Sequence, residues 1–451
     1  MSKQTSDKDR QKQVLNRHLE QINLHAAGID IGGDQHWVAV PPSSSDPDAR
    51  KFGAFTKDLY EIANWLQACE VETVAMESTG VYWIPLFEVL EERGFEVKLV
   101  DARKVKNVSG RKSDLLDCQW IQQLHTYGLL SGAFRPPDEI CVLRSLMRQR
   151  EMLIKSSASH IQHMQKALQL MNVRLDNVVS DITGQTGMAI LKAILAGERD
   201  PQKLAEHRDH RCKNTAAVIA QSLIGNYRPE HLFALKQAVE LFEYYQEKIL
   251  ECEREIEQYL KQLPQQTDQQ PPPLEKWEKR QKISFNARDY LFKMTGVDLF
   301  AITGLNANTL MTIYSETGGD MSRWPSGDHF ASWLCLCPGT KKSGGKVISG
   351  QTLPNASRAA TAFRQAAVAV GKTNTSLGAF YRRKAAQKSK PVAVTATAHK
   401  LARLYYSMLK HGQAYVEESA AAYEEKHREQ AVSSLKKKAR SLGFELAPVA
   451  P

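Results

Sequence analysis

Cysteine is scarce and scattered in this 451-residue chain: Cys69, Cys118, Cys141, Cys212, Cys252, Cys335 and Cys337 form no Cys-x-x-Cys pair. That excludes a disulfide framework and predicts a reducing compartment. No apolar run approaches the roughly 18 residues of a membrane span, and the stretch from Met1 to Arg17 lacks the apolar core of a signal peptide. The expected location is the cytoplasm, with no membrane partner. A workable zinc pattern is missing too, because His160-x-x-His163 and His207-x-x-His210 with Cys212 find no second pair at zinc spacing.

Acid is missing from one long stretch. From Gly339 to Arg403 there are thirteen Lys or Arg residues and no Asp or Glu, in a chain of 60 basic and 50 acidic residues with a net charge of +10. One sign of charge over that length attracts a polyanion, and nucleic acid is the polyanion expected. Apolar, helix-like stretches alternate with the charges, which argues for a folded basic surface rather than a solvated tail.

The pattern of the chain divides it into parts. An N-terminal tail (1–23) precedes an α/β region (24–138). Strands are predicted near His25–Ile31, His36–Pro41, Lys51–Phe55, Thr73–Glu77 and Glu96–Asp101, and helices near Lys57–Cys69, Ile84–Arg93 and Ser113–Tyr127. Three strands before the first helix suggest a meander joined to a βαβ arrangement. Residues 139–263 read as helical. There Leu235, Phe242, Ile249, Ile256 and Leu263 recur every seven residues, with Ala238, Tyr245, Cys252 and Tyr259 between them. Such heptads predict a coiled coil, serving either self-association or a helix folded back on its own chain. The Pro/Gln-rich stretch 264–273 breaks the helix and marks a linker. A second, mostly helical globular region (274–412) and a charged helical tail (413–451) follow.

Four carboxylates carry the chemistry. Asp30 closes the apolar run from Ala26 and Glu77 closes the run from Val74, so both acids sit at strand ends. Asp114 and Asp117, spaced i, i+3, share one face of a predicted helix. An acid after the first strand, a Glu after the fourth and a pair on a later helix describe a ribonuclease-H-like arrangement, whose carboxylates suit Mg²⁺. Lys104, Lys106, Arg111 and Lys112 lie just before the acid pair and suit a phosphate backbone. Gly28-Ile29-Asp30-Ile31-Gly32-Gly33 also looks like the first phosphate loop of sugar kinases and actin-like ATPases, but the second Asp-x-Gly loop those proteins need is absent. A proofreading exonuclease would want Asp-x-Glu where this chain has Asp30-Ile31-Gly32.

A second chemical candidate lies in the acid-free stretch, at Lys341-Lys342-Ser343-Gly344-Gly345-Lys346. It is not a Walker loop. A serine beside glycines lets hydroxyl and backbone approach a phosphate, with Lys342 and Lys346 offsetting its charge, and Lys341 beside them is a candidate for nucleic-acid contact. Arg358, Arg364, Tyr381, Arg382, Arg383 and Lys384 are further candidates for nucleic-acid contact, the tyrosine by stacking on a base. Ile302-Thr303-Gly304-Leu305 resembles a helix-hairpin-helix phosphate contact; the alternative is an ordinary Gly turn before a core helix.

Taken together, His25–Asp30, Met76–Trp83, Lys112–Asp117, Thr183–Met188 with Ala196–Pro201, and Ser343–Lys346 resemble the DEDD transposases of bacterial insertion sequences, the IS110 family. The resemblance runs from His25 to about Met408. It implies a RuvC-like domain holding Asp30, Glu77, Asp114 and Asp117 as catalytic and Mg²⁺-binding acids, a coiled coil, and a C-terminal transposase domain holding a serine nucleophile. Carried over by motif, that serine is Ser343, with Ser349 the alternative and Ser326 a third. The implied reaction cuts and rejoins DNA by phosphodiester transesterification through a serine–DNA intermediate at a composite site. Implied partners are element-end and target DNA, a structured guide RNA and further copies of the chain, as a dimer or tetramer through the coiled coil, associated with the bacterial nucleoid when acting. A junction-resolving nuclease and a non-catalytic nucleic-acid binder are the rival readings.

Overall fold

The fold is taken from a computed structural model that describes residues 20–78, 80–100, 113–273, 283–354, 357–412 and 420–447. The chain divides into two compact units, Met1–Arg135 and Pro136–Pro451.

In the first unit the chain forms β1 (Ala26–Ile31), rich in aliphatic residues, and then β2 (Gln35–Ala39) and β3 (Ala49–Gly53). They are followed by α1 (Thr56–Ala68), β4 (Thr73–Glu77), α2 (Trp83–Glu92), β5 (Glu96–Val100) and α3 (Asp114–Thr126). The sheet order is β3-β2-β1-β4-β5. The pairs β1–β2 and β2–β3 are antiparallel, whereas β1–β4 and β4–β5 are parallel. The predicted meander joined to a βαβ unit is therefore present, with element ends within two residues of expectation.

Alternation along the strands sorts side chains between two faces. Ala27, Ile29 and Ile31 of β1 and Val74 and Met76 of β4 enter the core with Leu59, Ile62 and Leu66 of α1 and Leu86 and Leu90 of α2. Gly28 and Ala75 point to the other face, which α3 covers with Cys118, Ile121, Gln122 and His125.

The second unit is almost entirely helical. α4 (Asp138–Leu170) and α9 (Pro229–Leu260) form a long antiparallel hairpin, as the pairs Glu139–Tyr259, Leu146–Cys252 and Ser157–Gln246 record. Between them, the short helices α5 (Leu175–Val178), α6 (Gln185–Leu195), α7 (Pro201–Ala205) and α8 (Ala216–Ser222) build a separate apolar cluster against the hairpin's far end. The heptad residues Leu235, Ala238, Ile249, Ile256 and Leu263 are buried within the chain. The seven-residue repeat is thus satisfied by α4 of the same chain, the alternative of a helix folded back on itself. Phe242, Tyr245, Cys252 and Tyr259, the other repeat positions, are half-buried.

Beyond the hairpin come α10 (Ala287–Thr295), a 3-10 turn (Leu299–Ala301), α11 (Ala307–Thr317), α12 (Gly327–Trp333) and a hairpin of β6 (Lys341–Ser343) and β7 (Lys346–Ser349). α13 (Arg358–Val370), α14 (Ser376–Gln387), α15 (Lys390–His411) and α16 (Ala420–Ser441) complete the unit. Phe330 stacks on Tyr405, and Phe363 meets both rings edge-on; all three are fully buried. The Pro/Gln stretch expected as a linker is tied down: the amides of Gln266 and Thr267 donate to Lys293 O, and Arg288 donates to Pro272 O.

Ion pairs and hydrogen bonds tie α4 to α11, with Glu316 largely buried and Arg148 exposed. Arg148 Nε and Nη2 donate to the two Glu316 oxygens at 2.9 and 2.8 Å, and Arg144 Nη2 donates to Glu316 O at 2.9 Å. Arg150, itself buried, donates to Glu253 Oε1 at 2.7 Å and to Asn308 Oδ1 at 2.6 Å.

Candidate active site

Asp30 and Glu77 follow directly on the paired residues Ile29 and Met76 of the parallel strands β1 and β4. By strand alternation they lie on the face of Gly28 and Ala75, under α3. Helix α3 runs antiparallel to β1. Asn23 Nδ2 donates to His125 O, Gln122 Nε2 donates to Ala26 O, and a β-carbon on Gly28 would fall 2.5 Å from Cys118 O. The first turn of α3, with Asp114 and Asp117, therefore lies at the Asp30 end of the sheet. Both aspartates precede buried residues by one turn, Cys118 and Ile121, so they leave the helix on its sheet side.

The Cys118 thiol reports on this neighbourhood. Burial pushes it up to about 12, and the carboxylates of Asp30 and Asp48 add to the effect. Asp48, not foreseen from the sequence, accepts from Gln119 Nε2 at 3.1 Å and so belongs to the packing of α3. Glu77 is buried, Asp30 and Asp117 are half-buried and Asp114 is exposed. Among the described residues no three His, Cys, Asp or Glu side chains stand close enough together to hold a metal ion. The four acids lie toward one end of one face of the sheet without closing into a cage. Lys104, Lys106, Arg111 and Lys112 lie outside the described residues.

In the second unit Ser343 pairs with Lys346 across a two-residue hairpin turn, Gly344-Gly345. Both glycines have positive φ, +54° and +77°, which a type I′ turn demands. The glycines thus serve the turn itself, and Ser343 and Lys346 are exposed at its base, with Lys342 exposed beside them. Ser349 accepts from Gln351 N at 3.3 Å. Ser326 is the N-cap of α12, and its Oγ lies 2.7 Å from His329 Nδ1. Of the three serines, Ser326 has an imidazole at hydrogen-bonding distance.

Several basic candidates prove to be engaged within the chain. Arg358 Nε donates to Glu151 at 2.8 Å, Arg364 donates to Cys335 O, and Arg382 donates to Gly371 O and Thr373 O. The Tyr381 ring packs where a Gly371 β-carbon would be. Arg383 and Lys384 instead face aromatic rings. Gly304, at φ +90°, lets its turn press on Val370, a β-carbon there falling 2.3 Å from Val370 Cγ2. The turn at Ile302–Leu305 is therefore a packing device, with both of those apolar residues fully buried, rather than an open phosphate contact.

Two family models match this sequence. A transposase model named for the DEDD transposases of IS110 matches residues 27–173, and one described as the transposase IS116/IS110/IS902 family matches residues 298–382. The chain belongs to the IS110 family of transposases. The two IS110 matches together take in just over half of its length. The first includes all four acids, and the second includes Ser326, Ser343 and Ser349 but stops one residue short of Arg383. No curated protein matches the chain. Membership in an IS110 transposase family carries with it a role in DNA transposition and recombination. No helix among the described residues is long and apolar enough to cross a membrane.

Proposed function

We propose that this IS110-family protein cuts and rejoins DNA at the ends of its insertion sequence through a covalent serine–DNA intermediate, with a RuvC-like first unit supplying the carboxylates. The observation that carries this reading is the shared placement of Asp30 and Glu77 on adjacent parallel strands, with the first turn of α3 at the same end. A sheet ordered β3-β2-β1-β4-β5 with β2 antiparallel supports the ribonuclease-H-like assignment.

Asp30, Glu77, Asp114 and Asp117 would hold Mg²⁺, which when bound supplies Lewis-acid polarisation of the scissile phosphate. Ser343 would attack phosphorus through Oγ, forming an Oγ–P bond as one P–O bond to DNA breaks, and the displaced DNA oxygen would leave as a hydroxyl carrying, in net terms, the proton the serine gives up. Lys342 and Lys346 bring positive charge to the hydroxyl, and the amides of Gly344 and Gly345 add N–H donors. The acid-free stretch 339–403 supports contact with DNA and with a structured guide RNA. If copies of the chain assemble, they use a surface other than the heptad stripe buried on α4.

A second reading gives the nucleophile's role to Ser326, which the 2.7 Å contact with His329 favours. Cleavage of labelled element-junction DNA with Mg²⁺, against chelator and against Asp30→Asn and Glu77→Gln, tests the metal-dependent half of the proposal. Cleavage that survives both the chelator and the substitutions overturns it.

A further inference from the structure

The C-terminal helix α16 makes one close aromatic contact with the basic surface. Tyr423, in its first turn, is half-buried while nearly every other described residue of α16 is exposed. Its ring sits under two cations, with Arg383 Cζ 5.1 Å and Lys400 Nζ 5.7 Å from the centroid. On the α14–α15 side, Phe380 shares the same charges: Lys400 Nζ lies 4.2 Å and Lys384 Nζ 5.9 Å from its centroid. Two aromatic rings and three cations thus form one compact cluster on the acid-free stretch.

One detail marks this closed arrangement as incomplete. Arg383 Nη1 is buried and has no hydrogen-bond partner among the described residues. An aromatic face attracts a guanidinium but accepts no strong N–H hydrogen bond, so this donor carries its desolvation cost uncompensated. A phosphate oxygen is the group a guanidinium takes best, and an unpaired base replaces a tyrosine ring face for face.

We propose that Phe380, Arg383, Lys384 and Lys400 form a subsite for an unpaired nucleotide, base on Phe380 and phosphate on Arg383, and that Tyr423 plugs it until α16 lifts away. The C-terminal helix is then a self-inhibitory cover over part of the nucleic-acid surface. The inference shares only its ligand class, nucleic acid, with the proposed function. It concerns residues at and beyond the end of the matched transposase region.

The test uses the full chain and fluorescence anisotropy with labelled oligothymidylate and oligouridylate, at low and moderate salt. Tyr423→Ala should bind at least one oligonucleotide about three- to tenfold more tightly, as loss of a competing cation–π contact implies. Tyr423→Phe, which keeps the ring, should match the wild type. Arg383→Gln should weaken binding and cancel the gain in the double variant. The preferred oligonucleotide identifies DNA or RNA as the ligand. Unchanged or weaker binding by Tyr423→Ala, a gain that survives Arg383→Gln, or no binding by any form overturns the proposal. Hydrogen exchange in the wild type gives an arm independent of substitution: α16 amides should exchange faster with oligonucleotide bound, and unchanged or slower exchange contradicts the cover. Cleavage and adduct formation are read separately, so failure here leaves the recombinase reading intact, and the converse also holds.

Discussion

A β-carbon on Gly28 would fall 2.1 Å from the backbone nitrogen of Gln122, so β1 and α3 touch backbone to backbone at this point. Gly28 thereby sets the height of α3 over the sheet, and with it the reach of Asp114 and Asp117 toward Asp30. Gly28→Ala must lift the helix, which overpacking data put at about 1–3 kcal/mol. Thermal unfolding should show the loss together with reduced cleavage. Gly33→Ala is the control, because its new methyl would meet only the Tyr82 ring at 3.6 Å, an ordinary contact. Equal melting of both variants with the wild type would refute this account of α3.

The N-terminal unit should lose stability on acidification. Fully buried His125 lies with Nε2 2.9 Å from Thr73 Oγ1, and that hydroxyl donates to Glu96 O, so the imidazole is the donor to Thr73. Burial, helped by the charge of Lys98, holds its pKa down at about 4 against an ordinary 6.5. Buried His36 is lowered in the same direction, burial outweighing the opposing charge of Asp58. The unfolded chain takes up these protons first. Stability is therefore full above about 6.5 and falls as pH drops toward 4, by up to about 3 kcal/mol from His125. Urea titrations across that window should show the slope, and His125→Gln should flatten it.

The Arg150–Glu253 pair joins α4 to α9, and Asn308 and Ser284 hang on the same two side chains. Glu253→Ala strands a buried guanidinium and should cost about 3–5 kcal/mol, whereas Arg150→Met with Glu253→Leu should recover most of it. Chemical denaturation of the three forms distinguishes a desolvated pair from a solvated one, for which the single change would be nearly neutral.

The fate of the heptads bears on assembly. Ile256 is fully buried and Ile249 nearly so, both against the chain's own α4. Ile256→Ala should therefore cost about 2–5 kcal/mol of stability, as is typical of buried aliphatic truncation, and lower the melting temperature accordingly. The mass measured by light scattering should not change. A drop in mass without a drop in melting temperature would restore the intermolecular coiled coil.

Much of the first unit was legible because strand alternation and helix periodicity are local signals. Ala26–Ile31 and Thr73–Glu77 alternate between two buried faces, and Cys118, Ile121, Gln122 and His125 recur at helical spacing. The places of the acids were legible for the same reason, Asp30 and Glu77 toward strand ends and Asp114 and Asp117 in the first turn of a helix. Non-local pairing was not. Whether Ile249 meets a second copy or α4 depends on a helix about a hundred residues away, and a heptad repeat is the same in either case. Likewise nothing local distinguishes Arg358, paired with Glu151, from Arg383, paired with Tyr423, since both partners lie far along the chain. Gly344-Gly345 read as room for a phosphate, yet the pair also meets the demands of a type I′ turn.

The most direct measurement is a denaturing gel, run with and without protease, of labelled element-junction DNA incubated with the protein, Mg²⁺ and its co-purified RNA. A slow, protease-sensitive DNA band is the predicted result. That band should vanish in Ser343→Ala and in Asp30→Ala while persisting in Ser326→Ala. A band lost only in Ser326→Ala would move the nucleophile to the His329-paired hydroxyl, and free cleaved ends with no protein attached would contradict the serine–DNA intermediate altogether.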